Sequence, residues 1–213
     1  LSVDVTIDAT ETFSVTSAGP ATAIPDATPT TSGRLTSTLA VTDTRTVVDL
    51  NVRLSINHPF VGDLQVRLIS PDGRRVSLVL NRGANGDNLT GTIFDDEALS
   101  AISTATPPFT GSFRPETPLN ALDGISAAGT WTLEILDTKQ LDSGSLLSWG
   151  IDFTVENNIF GLFELNDTIG LATSLGVTGT GTATRDADIG DGAFGLRDVD
   201  LFQFTAAAGT TLT

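Results

Sequence analysis

The chain of 213 residues contains no cysteine, no methionine and no tyrosine, and its only histidine is His58. Without cysteine it has no disulfide framework, no zinc–thiolate site and no thiol nucleophile. His58 precedes Pro59 at a strand end, and no second base is available for a Ser–His–Asp triad; structural hydrogen bonding is the simpler reading of its imidazole. Cations are scarce: 11 Lys and Arg face 26 Asp and Glu, for a formal charge of −15. That field repels nucleic acid and anionic membrane surfaces, so neither is an expected partner. No apolar run reaches bilayer length, so membrane insertion is not expected. Helix signals are also poor, because Thr, Ser, Gly, Val and Asp dominate and no window sustains apolar residues at i, i+3, i+4 and i+7. The chain starts at Leu1 without a basic or apolar leader, which predicts an interior piece of a longer protein.

What is present is period-2 alternation, the mark of half-buried strands. Val3, Val5 and Ile7 alternate near the start, within a segment (1–13) that reads as the end of a preceding segment or as an edge strand. SAGPATAIPDATPTTSG holds three of the nine prolines; Pro cannot donate to a sheet ladder, so this is an extended connector or edge segment. Leu35, Leu39 and Val41 alternate next. Val48, Leu50, Val52, Leu54 and Ile56 then face one way while Asp49, Asn51, Arg53 and Ser55 face the other, an antiparallel signature. Leu64, Val66 and Leu68 lead through the turn Pro71-Asp72-Gly73 to Val76, Leu78 and Leu80, which predicts a hairpin. From Ala98 to Gly129 the pattern is irregular, and Phe109, Phe113, Leu119 and Leu122 are the residues expected to pack it. Between Thr130 and Phe153, Trp131, Leu133 and Ile135 form one inward row, and Leu147, Trp149, Ile151 and Phe153 another. The polar stretch Asp137 to Ser145 between them predicts a hairpin with a long loop.

NHPFVGDLQVRLISPDGRRVSLVL (57–80), TIFDDEA (92–98), PFTGSFRPETPLNALDG (108–124) and GTWTLEILDTKQLDSGSLLSWGIDF (129–153), in this order, resemble the P domain (P/Homo B domain) of proprotein convertases and kexin-like subtilases. The resemblance runs from about Val15 to Val155. It implies a jelly-roll β-sandwich over 14–156 that stabilises or positions a neighbouring domain of the same polypeptide. It also implies a secreted or cell-surface setting. From about Phe163, ELNDT, ATSLG and DADIGDGAFGLRDVDLFQFTAAAGTTL resemble the start of a bacterial pre-peptidase C-terminal domain. Residues 157–213 are therefore expected to be a linker and a truncated second β-module.

Catalysis is not expected. Asp95 and Asp96 are adjacent, so on a strand they point to opposite faces and cannot flank one glycosidic bond. Metal binding is the better chemistry, because calcium takes six to eight oxygens, usually from loops. Asp63, Asp95, Asp96, Asp137 and Asp142 all stand at strand ends or turns. If the jelly roll gathers them at one rim they form a structural calcium site; the competing reading has Asp63 and Asp137 capping turns. Asp186, Asp188 and Asp191 resemble a calcium loop, but the EF-hand spacing fails and Arg197 stands where Glu is required. An adhesive or glycan-binding module is the alternative function. Both tryptophans fall in phase with inward residues, which leaves Phe60 as the aromatic to watch.

Overall fold

Alternating side chains become ten strands across residues 10–156, which the computed structural model describes together with residues 173–174 and 202–203. They are β1 (Thr10–Thr16), β2 (Thr22–Ile24), β3 (Gly33–Val41), β4 (Val47–Asn57) and β5 (Leu64–Ile69). β6 (Arg75–Leu80), β7 (Leu89–Phe94), β8 (Phe109–Phe113), β9 (Gly129–Asp137) and β10 (Gly144–Glu156) follow. Thr10–Glu156 is one unit; Leu1–Ala9 with Asn157–Thr213 is a second. In the second unit β11 (Thr173–Ser174) pairs in parallel with β12 (Phe202–Gln203). The expected strand over Val3, Val5 and Ile7, the pre-peptidase resemblance and the Asp186–Asp191 loop otherwise lie outside the described residues.

Two sheets form the sandwich. One runs β1-β10-β4-β7-β8, with β2 also on β10, and the other runs β3-β9-β5-β6. The antiparallel pairs β1–β10, β3–β9, β4–β7 and β5–β6 are nested, like one long hairpin rolled on itself with its tip at Pro71-Asp72-Gly73. This is a jelly roll, the arrangement by which an all-β chain closes most of its edges. At the tip Gly73 has φ 89°, and Ser70 and Arg74 close the turn by backbone hydrogen bonding.

The nesting corrects one expectation. β9 and β10 do not form a hairpin: β9 pairs with β3 and β5, and β10 with β1, β2 and β4. The stretch after Asp137 is therefore an arch between sheets. Both rows, Leu147 excepted, still face one core, but from opposite sides. Trp131 meets Phe153 edge to face with ring centroids 5.3 Å apart. Trp149 reaches across to donate its indole N–H to Ser37 of β3 at 2.8 Å. Each large side chain fully buried here stabilises by about 1.5–3 kcal/mol relative to exposure.

Three register shifts explain where the alternation misled. Val48 is exposed because the β4–β10 register slips at Thr154/Val155, so Val47 and Leu50 are the buried residues. Leu147 is exposed because of a slip between Leu146 and Ser148, and Leu146 takes the inward place. A slip between Val66 and Arg67 turns both Leu78 and Val79 inward and leaves Leu80 half-buried. An extra residue in one strand flips every later side chain to the other face. The irregular stretch holds β8, parallel to β7, and two 3-10 turns at Ile102–Thr104 and Leu119–Leu122. Phe109, Leu119 and Leu122 are buried and Phe113 packs against them, as expected of a long segment that must supply its own core.

Candidate functional site

The motif NHPFVGDL ends β4 and opens β5, and the chain there has little freedom. Val61 and Gly62 donate backbone hydrogen bonds to Gly86 and Ala84 at 2.9 and 3.0 Å, clamping a 3-10 turn (Val61–Asp63) against the loop after β6. A Cβ on Gly62 would stand 2.4 Å from the Ala84 carbonyl oxygen, so no other residue fits without moving backbone. Gly144 has the same role at the start of β10: its Cβ would fall 2.6 Å from His58 Cδ2 and 2.4 Å from the Asn57 carbonyl oxygen.

These constraints seal His58 completely. Its Nδ1 accepts the Phe60 N–H at 3.2 Å, which leaves Nε2 as the donor to Asp137 Oδ2 at 3.2 Å. The Asn88 side chain accepts the His58 backbone N–H, and His58 accepts the Asn88 N–H in return, each at 3.0 Å. The other oxygen of Asp137 accepts the Lys139 N–H at 3.2 Å. Asp137 is thus the turn cap anticipated for it, and His58 is a hydrogen-bonded residue of the core. Asn88 carried no such signal in the sequence, since its role depends on a pairing thirty residues away.

Asp63 lies beside this pair. Burial raises its carboxyl above the ordinary value of 3.8, and the charges of Asp137 and Asp142 add to that, while His58 and Lys139 oppose it. The structure therefore brings Asp63, Asp137 and Asp142 to one end of the sandwich. Asp95 and Asp96 follow β7, whose register sets Phe94 opposite Val52 and Leu89 opposite Ile56, so they lie at the other end of β4. At ~3.3 Å per residue the two groups are on the order of 25 Å apart.

At that second end Asp96 caps the 3-10 turn Leu119–Leu122, its two oxygens accepting the Leu119 and Asn120 N–H groups at 3.0 and 2.9 Å. Asp95 accepts the Glu97 N–H at 2.8 Å. Asp49 and Asp123 join this end; burial raises both carboxyls, and Asp96 adds to each. Among the described residues no three His, Asp or Glu side chains converge to hold one metal ion. The charge at the Asp63 end suits a cation, but the ligand count from side chains does not.

Asp63 yields a pH-dependent expectation. A raised folded pKa means that the native state holds the proton more tightly, so the stabilisation is full below 3.8 and is lost as pH rises through the folded value. In chelator, Asp63→Asn is expected to raise the melting temperature at pH 7, with the gain shrinking as pH falls toward 4. A gain of equal size at both pH values would contradict this.

Comparison with known proteins turns on the stretch that carries both ends. The family profile described as the proprotein convertase P-domain matches residues 47–153, from the start of β4 into β10. The chain belongs to this family. Two relatives of this P domain, each named calcium-dependent protease, come from Trichormus variabilis and a Nostoc species. Each is 30% identical over 114 residues, which is 54% of this chain and 15% of the relative. The chain thus matches a small part of those relatives' length. The solved Aeromonas sobria serine protease in complex with a chaperone is 21% identical, with 69% of this chain and 26% of that one covered and a TM-score of 0.44. The protease solved alone gives 21%, 68%, 26% and 0.41.

Proposed function

We propose that this P domain is a non-catalytic accessory module that stabilises or positions a neighbouring protease domain of the same polypeptide, in a secreted or surface protein. The carrying observation is the family match over β4–β10 together with relatives that are proteases several times longer. The sealed imidazole of His58, with both ring nitrogens engaged, supports a structural use of that motif. The glycan-binding alternative gains no platform, since Trp131 and Trp149 are buried and Phe60 is half-buried. Deleting residues 10–156 from the full-length gene product is expected to abolish soluble, active neighbour. Full yield and activity without them would overturn the proposal.

Structural calcium belongs to the same proposal, at the end of the sandwich where Asp63 lies near Asp137 and Asp142, with Asp63 as the side-chain ligand. Its support is the relatives' names and the nearness of Asp137 and Asp142 to Asp63, whose charges add to the effect of burial on its carboxyl. Backbone carbonyls and solvent would supply the other oxygens. Millimolar calcium is expected to raise the melting temperature over chelator, and Asp63→Asn to remove that rise. An unchanged melting temperature in the wild-type chain would remove calcium from the proposal and leave the accessory role standing.

A further inference from the structure

The outer face of the four-stranded sheet carries a charge pattern found nowhere else among the described residues. Glu134, at the middle of β9, is buried to 5% side-chain exposure under three arginines. Arg34 Nη2 approaches it to 2.6 Å, Arg67 Nη1 to 3.4 Å and Arg75 Nη1 to 3.6 Å. Register explains the meeting: Glu134 lies directly opposite Arg67 and, on its other side, Thr36, so both neighbouring strands bring a cation to it. Arg34 and Arg75, on the edge strands β3 and β6, are each 58% exposed.

Three other arginines of the domain have a carboxylate to themselves: Arg53 has Asp152, Arg74 has Asp72 and Arg82 has Glu116, while Arg114 donates to the Ala98 and Leu99 carbonyls. Arg45 has two, Asp43 and Glu11. Here three guanidinium groups share one carboxylate, on a chain whose formal charge is −15. The three cations repel one another; Arg67 also donates Nη2 to Gln65 Oε1 at 3.0 Å, while the forks of Arg34 and Arg75 remain in solvent. A further carboxylate would relieve that repulsion and accept the free N–H groups in pairs.

From this geometry we infer that the Arg34–Arg67–Arg75 face is a docking surface for an acidic segment of the neighbouring domain, one bearing at least two carboxylates. The inference rests on the accessory reading and names the surface it uses. The patch spans three strand spacings, roughly 14 Å, which suits a short peptide segment laid across the strands. A long polyanion is disfavoured, because its charges beyond the patch meet the acidic remainder of the domain. Tethering supplies an effective concentration of about millimolar, so a weak contact suffices.

The test uses the whole 213-residue chain, labelled with nitrogen-15, at about 0.15 M salt, where long-range repulsion is screened beyond ~8 Å. Capped hexaglutamate is expected to shift amide signals of β3, β5, β6 and β9 with an affinity of about millimolar, while capped hexaglutamine does not. The pair Arg34→Gln with Arg75→Gln should weaken binding about tenfold or more. Arg75→Gln alone, at an exposed edge position, gives a smaller loss if the pair perturbs the fold. Arg45→Gln should leave binding unchanged. No shift on this face with hexaglutamate at about 10 mM, or binding retained in the double variant, overturns the inference. So does a heparin-derived hexasaccharide that shifts the face where hexaglutamate does not. If deletion of residues 10–156 still abolishes the neighbour's activity, such a result removes the surface and leaves the accessory role.

Discussion

Trp131→Ala is expected to destabilise the domain by about 3–5 kcal/mol, within the range for emptying a buried aromatic site. Trp131 is fully buried in β9, between strands that pair with it on both sides, so the surrounding backbone has little room to collapse into the space left. Two specific losses add to the cavity. The edge-to-face contact with Phe153 is the link between the two sheets at this level. The indole N–H also satisfies the buried Ala127 carbonyl at 2.9 Å, which the alanine variant leaves to solvent that cannot reach it. For a domain of this size the melting temperature should fall by roughly 10–15 °C in a thermal melt. Trp131→Phe keeps most of the volume and loses the hydrogen bond, and should fall between. A drop of only a degree or two in the alanine variant would mean that this cross-sheet contact does not hold the sandwich together.

Asp137→Ala should cost about 1–3 kcal/mol, because it strands the buried His58 donor and removes the part-buried cap on the Lys139 N–H. His58 Nε2 loses its acceptor where no water enters, and the Lys139 N–H loses the cap that starts the arch toward β10. Asp137→Asn retains one amide oxygen for one of the two donors, so its cost should be about half. Chemical denaturation of the three chains measures this directly, with equal midpoint slopes expected. If alanine proved no worse than asparagine, the pair would be packed but not stabilising.

The strands were legible in the sequence, and their partners were not. Alternation in Trp131, Leu133 and Ile135 says which side chains face the core. It is silent on which strand lies alongside, and so β9 and β10 read as a hairpin when each belongs to a different sheet. Phase also failed wherever one extra residue entered a strand, as at Val48, Leu80 and Leu147, because a bulge leaves no compositional mark there. The site shows the same division. Asp137 was recognisable as a turn aspartate from its place at a strand end. That Asp63 joins it, while Asp95 and Asp96 lie at the far end of β4, follows only from the antiparallel pairing of β4 with β7. Glu134 looked like an ordinary solvent-facing residue, since nothing local reveals three arginines from three other strands.

The rolled-hairpin pairing also fixes an order of events during synthesis. The outermost pair includes Ser14 and Asp152, 138 positions apart in sequence. At ordinary elongation rates β1 waits roughly 10–30 s after leaving the ribosome before β10 exists to receive it. The hairpin at Pro71-Asp72-Gly73 forms early, from neighbours, and the sheets close last, from partners that meet only when the domain is fully made. Until then the inner faces of β3 and β4 stand open, and any domain synthesised ahead of this one shares the ribosome exit with an unfinished core.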